Sequence, residues 1–240
     1  MSADRRAVAL AGAHAALALM LVSGLSGCGG DDRKSPAPKA NDATKVLAAA
    51  KRHFDDAASV HLTMATASRP TSGDAVLGAD GTLTHQPAFA GKVKVLLSGF
   101  NADVPIIAVG GKVYAKLPLT PKYATIDPSE YGAPDPAEFA DTSKGISGLL
   151  LKMKQVKEAG TERVGKQVVT RYSGTLSGSY VAPIIPSADD SGTYDTVVGL
   201  DKDERLVMLK VTGEFFSGGG DETYTISFDD YDKSVKISAP

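Results

Sequence analysis

Two periods of apolar residues alternate along the chain and divide it into elements. Between residues 42 and 58, Val46, Leu47, Ala50, Phe54 and Ala57 or Ala58 recur at helical spacing, with Asp42 or Thr44 placed to cap the start. From Val60 the period drops to two. Val60-His61-Leu62-Thr63-Met64-Ala65-Thr66 alternates and is rich in β-branched residues, as a half-buried strand is. Gly81-Thr82-Leu83-Thr84 starts a second strand, and Val93, Val95 and Leu97 share one face of a third. Residues 104–109 form an apolar run closed by Gly110-Gly111 and answered by Lys112-Val113-Tyr114-Ala115-Lys116-Leu117, the pattern of a hairpin. A Pro-rich loop covers residues 118–136. Helical spacing then returns at Ile146, Leu149, Leu150, Met153 and Val156, which predicts a second helix stopped by Gly160. Further strands are predicted at 167–176, 194–200, 205–216 and 223–228, with a turn at Asp201-Lys202-Asp203-Glu204 and a short tail strand at 235–237. The sum is one α+β domain, an antiparallel sheet with a few helices against one face.

The N-terminal stretch follows a different logic. Arg5 and Arg6 precede an almost wholly apolar run over residues 7–22, interrupted only by His14. That run is short of the roughly 20 residues a spanning helix needs and reads as the core of an export signal. It closes on Leu25-Ser26-Gly27-Cys28, which is similar to the lipobox of bacterial lipoproteins. The similarity implies that the Cys28 thiol is lipidated, with diacylglyceryl and palmitate-type chains, and becomes the first residue of the mature protein. The expected organisation is a signal peptide over 1–27, a lipidated cysteine and flexible linker over 28–41, and a folded domain over 42–240. The linker GGDDRKSPAPKAN spans about 40 Å when extended, at roughly 3.3 Å per residue. The domain is therefore expected to be exported and tethered to the outer face of the cell membrane.

Composition narrows the functions. A formal charge of −2 over 240 residues provides no basic stripe for nucleic acid and no polybasic patch for anionic lipid. With 1 cysteine, no internal disulfide can form, so packing alone must hold the domain. Beyond the signal, His53, His61 and His85 lack metal-ligand spacing, and no G-x-S-x-G elbow is present. Residues 160–167 approach a phosphate loop, but Gln167 stands where Ser or Thr would hold magnesium. Asp189-Asp190 and Asp229-Asp230 read as solvated turns rather than calcium loops. No catalytic group, metal or cofactor is expected, and the chain is not read as an enzyme.

Several stretches together resemble the LprG/LppX/LprA/LprF family of actinobacterial lipoproteins. They are Gly81-Thr82-Leu83 with Gln86-Pro87 and Ala90-Gly91-Lys92-Val93, then Gly111-Lys112-Val113-Tyr114-Ala115-Lys116-Leu117. Ile126-Asp127-Pro128 through Pro134-Asp135-Pro136 precedes Gly148-Leu149-Leu150, and Tyr224-Thr225-Ile226-Ser227-Phe228 leads to Val235-Lys236-Ile237. Order and spacing carry the likeness more than any single motif. The family often has a tryptophan near its last strand; this chain has 0 Trp, and Tyr231 stands in that region.

The resemblance implies a strongly curved antiparallel sheet, a half-barrel wrapped over helices, enclosing an apolar cavity for acyl chains. It implies binding of acylated lipids or glycolipids, their transport between membranes, and in one subgroup a membrane transporter as partner. The candidate cavity lining is the shared strand face Val93, Val95, Leu97, Ile106, Ala108, Val113, Ala115 and Leu117, closed by Ile146, Leu149, Leu150 and Met153. From pattern alone, an ordinary filled core is the better reading of these residues; the family resemblance is what favours a cavity. Tyr180, Val181, Ile184 and Ile185 lie in a Pro-broken apolar segment, readable as a flap at the cavity mouth or as a loop plugged into the core. The competing function is a lipoprotein that binds and stabilises or regulates an envelope transporter, with a filled core.

Overall fold

The computed structural model describes residues 40–240 apart from 71, 72 and 119, and these residues belong to one compact unit. The signal, Cys28 and most of the linker lie outside the described residues. The chain opens with α1 (Ala40–Asp56), whose Ala43, Leu47, Ala50 and Phe54 are almost fully buried at a helical repeat. Six strands follow: β1 (Ser59–Thr66), β2 (Ala75–Thr84), β3 (Ala88–Leu97), β4 (Phe100–Val109), β5 (Lys112–Ala115) and β6 (Ala124–Ile126). Two 3-10 helices, Pro128–Tyr131 and Pro136–Ala140, and α2 (Ile146–Leu150) form the crossing. The second set is β7 (Lys154–Val164), β8 (Gln167–Ser177), α3 (Gly178–Val181), β9 (Thr193–Leu200), β10 (Leu206–Gly213) and β11 (Glu222–Asp229).

All the strands join in one 11-stranded sheet, ordered β6-β5-β4-β3-β2-β1-β11-β10-β9-β8-β7. Every neighbouring pair is antiparallel. The topology is two meanders, β1–β6 and β7–β11, sewn together where the first strand meets the last. One face of the sheet is apolar and packs α1, α2 and the second 3-10 helix. The large antiparallel sheet with few helices is as expected from the sequence.

Two predicted elements do not form as expected. The predicted helix over Ile146 to Val156 stops at Leu150, and residues from Lys154 onward form β7. Its pairing with β8 carries register shifts between Lys154 and Lys157 and between Glu158 and Thr161. Each extra residue breaks the period of two, so a bulged strand spaces its apolar residues as a helix does. Gly160, at φ +80, sits in the second bulge and is not a helix stop. The predicted tail strand at 235–237 makes no ladder. The tail is strapped to the start of β1 instead, where Asp232 N–H donates to Ser59 O (2.9 Å) and Ser59 Oγ donates to Lys233 O (2.6 Å).

Candidate binding pocket

Cross-strand partners trace rungs of side chains over the apolar face. One rung runs Tyr172, Val198, Leu209, Ile226, Met64, Ala79, Val93, Val104. The next runs Phe228, Leu62, Gly81, Gly91, Ile106, Ala115. In the β7–β11 meander these positions carry bulky side chains. In the β1–β6 meander Ala79, Gly81, Gly91 and Ala115 thin them out. The glycine pair also admits the Phe89 ring: a Cβ on Gly81 would sit 2.6 Å from that ring, and one on Gly91 would sit 2.2 Å from Asp80 O. Phe89 thus fills the space beside the glycine pair, while the short side chain of Ala115 leaves room further along the sheet.

A pocket of about 340 Å³ lies over β3–β5. Its floor is Val76 of β2, Val93, Val95 and Leu97 of β3, Val104 and Ile106 of β4, and Val113 and Ala115 of β5. Leu117 and Ile126 extend the floor, while Pro128, Tyr131, Pro134 and Pro136 cover it from the Pro-rich segment. That cover is ordered by capping. Asp127 Oδ1 accepts from Ser129 Oγ (2.6 Å) and Ser129 N–H (2.9 Å), and Asp135 Oδ1 accepts from Ala137 N–H (2.9 Å), so each carboxylate starts a Pro-led 3-10 turn. The Ser129 hydroxyl and N–H hold the Asp127 carboxyl below its usual range.

Polar groups at the pocket are few. Ser187 Oγ is buried, belongs to a lining residue, and has no hydrogen-bond partner of good geometry among the described residues. The Tyr224 hydroxyl donates to Val76 O at 2.7 Å. Burial pushes this phenol up to about 12, against a smaller opposing pull from the nearby Ser187 side chain, so it stays a neutral donor. Asp74 sits at one edge, where its Oδ1 accepts from Ser98 N–H at 2.7 Å.

The structure divides the candidate residues in two. Val93, Val95, Leu97, Ile106, Val113, Ala115 and Leu117 meet in this pocket. Ala108, Ile146, Leu149, Leu150 and Met153 lie in the filled core beyond its lining. Of the segment read as flap or plug, Val181, Ile184 and Ile185 are buried in the core. Tyr180 is exposed, with the Lys152 ammonium 5.3 Å from its ring centre. The segment is pinned at both ends, by Gly178 N–H to Gly192 O (2.8 Å) and by Asp189 N–H to the Tyr194 hydroxyl (2.6 Å). Its Pro186 and Ser187 reach the pocket. The sequence reading missed Val104, although it alternates with Ile106. It also missed Val76, which lies beside a bulge, and the proline cover, whose position depends on chain crossing.

On the opposite face, His61 bridges the seam. Its Nδ1 lies 2.8 Å from Asp229 Oδ1 and its Nε2 3.4 Å from Asp80 Oδ1. Burial alone would lower its pKa, but the hydrogen bonds to both carboxylates outweigh that and raise it. Among the described residues, no group of three or more His, Cys, Asp or Glu side chains is arranged to hold a metal ion.

Comparison with known proteins places these features. The sequence pattern of the LppX_LprAFG lipoprotein family matches residues 42–237. Lipoprotein LprA of Mycobacterium tuberculosis is 24% identical over 243 residues, covering 96% of this chain and 96% of that protein. The lipoarabinomannan carrier protein LprG of Mycobacterium tuberculosis is 27% identical over 223 residues, covering 90% and 89%. Among solved structures, LprF from Mycobacterium bovis superposes with a TM-score of 0.70 at 17% identity, covering 85% of this chain and 99% of that one. Lipoprotein LppX of Mycobacterium tuberculosis gives 0.61 at 17% identity, covering 83% and 100%. The large antiparallel sheet with its few helices is shared with both.

Proposed function

The chain belongs to the LppX_LprAFG lipoprotein family, and from that premise we propose that it binds acylated lipids or glycolipids in the pocket over β3–β5 and carries them between membranes of the cell envelope. The observation that carries the reading is an apolar pocket over β3–β5, floored by Val93, Val95, Leu97, Val104, Ile106, Val113 and Ala115 and covered by the prolines of the crossing segment. Moving an acyl chain of about 15 methylenes from bilayer to water costs roughly 12 kcal/mol at about 0.8 kcal/mol per CH₂. A single polar contact is worth about 1 kcal/mol, so a comparably dry slot, not polar contacts, decides whether such a chain can be held. The name of LprG, a lipoarabinomannan carrier protein, supports a glycolipid among the ligands. Among the lining residues, Ser187 places a buried hydroxyl beside that of Tyr224, a polar pair able to meet an ester or sugar oxygen of the ligand.

At about 340 Å³ the pocket sits near the low end of the roughly 300–1,000 Å³ typical of ligand sites. A lipid with several chains would have to displace the proline cover, whose 3-10 turns are the natural moving part. Cys28, when lipidated, anchors the domain at the outer face of the membrane. Several acyl chains hold such an anchor stably where one would not. Ala115→Trp tests the site: the indole fills the pocket beside Ile106, so lipid loading should fall at least tenfold while the protein still melts cooperatively. Unchanged loading in that folded variant would remove this face from the site. Ile126→Trp, at the pocket edge, gives a second reading if Ala115→Trp does not fold.

A further inference from the structure

The β3–β4 hairpin carries one feature that packing does not explain. Phe100 is 78% exposed, the most exposed large apolar side chain among the described residues. It is the direct cross-strand partner of Leu97, and such partners share a face. Leu97 lines the pocket, so Phe100 lies beside the lining, on the same rung and the same face. The tip is built to hold it there. Ser98 (φ 50) and Gly99 (φ 83) both take positive φ, the signature of a tight two-residue hairpin turn, and Asp74 clamps the Ser98 N–H. Tyr131, 47% exposed, lines the same pocket from the cover. Exposed aromatics thus flank the apolar pocket from the sheet side and the cover side.

We infer that this end of the β3–β4 hairpin is the surface with which the domain docks on a lipid bilayer, Phe100 inserting among the acyl chains beside the pocket mouth. The inference rests on the proposed lipid binding. Two observations select a bilayer as the occupant. The apolar surface is continuous with the pocket, so a chain leaving the bilayer there avoids water. In addition, the segment of about 40 Å between Cys28 and the domain would hold a membrane permanently within reach. Aromatic side chains favour the membrane interface.

The chain contains 0 Trp, so Phe100→Trp makes a single reporter without background. In the full chain reconstituted into phosphatidylcholine vesicles with brominated acyl chains, the indole emission of Phe100→Trp should shift to the blue and be quenched. Val168→Trp, at a site 56% exposed beside the β7–β8 turn, should show neither change. Equal behaviour of the two variants, or an unquenched Phe100→Trp, would overturn the docking surface. Phe100→Asp should slow lipid uptake from vesicles at least tenfold and leave uptake from detergent micelles unchanged; equal loss from both sources would also overturn it. Quenching of Phe100→Trp in a protein that loads lipid from neither source would sink the carrier reading alone.

Discussion

The two meanders share one sheet and one apolar face, yet they fill that face differently. Over β7–β11, Tyr172, Val198, Leu209, Tyr224 and Ile226 are buried against each other and against Phe215 and Leu176, with Phe215 and Tyr224 ring centres 4.6 Å apart. Over β3–β6, Val93, Val95, Leu117 and Ile126 remain only partly buried and border the pocket. One half of the face is filled, and the other, the container, keeps open apolar volume.

The largest effect expected from this contrast is in stability. Leu209→Ala, in the filled half, should cost about 2–5 kcal/mol because it leaves a cavity among fully buried neighbours. On the same rung, Val93→Ala should cost about 1 kcal/mol or less, since its side chain already borders open volume. Thermal melts of the two variants check this. Equal losses would break the comparison.

A middle-sized effect is expected at Ser187. Ser187→Ala should leave the melting temperature within about 2 °C, because at most a weak contact to Tyr224 is lost and that hydroxyl keeps its bond to Val76 O, and should weaken lipid binding by roughly 3–10-fold if the Ser187 hydroxyl meets a polar atom of the ligand. A titration with a fluorescent acyl lipid reads it, and unchanged affinity would leave the pocket recognising only apolar chain.

The smallest effect lies at the seam between the halves. His61 has a raised pKa in the folded protein, so its contribution is fully present below the unfolded value near 6.5 and is lost as pH rises through the folded one. Wild type should melt above His61→Gln at pH 6 by no more than about 2–4 °C, given the roughly 1 kcal/mol ceiling of such part-exposed pairs. The gap should close as pH rises. A gap independent of pH would mean that His61 does not act through its charge.

Much of the architecture was legible in the sequence because burial of one sheet face imposes a period of two, and β1, β4, β5, β9 and β11 keep it. The period fails at β7, where the shift between Lys154 and Lys157 leaves Val156 three residues after Met153, as in a helix. The container was half legible. Val93, Val95, Leu97, Ile106, Val113, Ala115 and Leu117 do meet, since alternation assigns them one face. The helical residues Ile146, Leu149, Leu150 and Met153 belong to the filled core, because alternation within strands says nothing of where the crossing chain packs on the sheet. The cover formed by Tyr131, Pro134 and Pro136 was invisible for the same reason: it is set by where the crossing chain lies.

The most direct test of the container is native mass spectrometry of the domain starting at Gly29, purified without detergent from a host that makes actinobacterial envelope lipids. The account predicts a defined adduct near one per protein, which extraction resolves as an acylated lipid or glycolipid, and which Ala115→Trp abolishes. A clean unliganded mass from that lipid-rich host would contradict the carrier and favour a lipoprotein that acts by binding an envelope transporter.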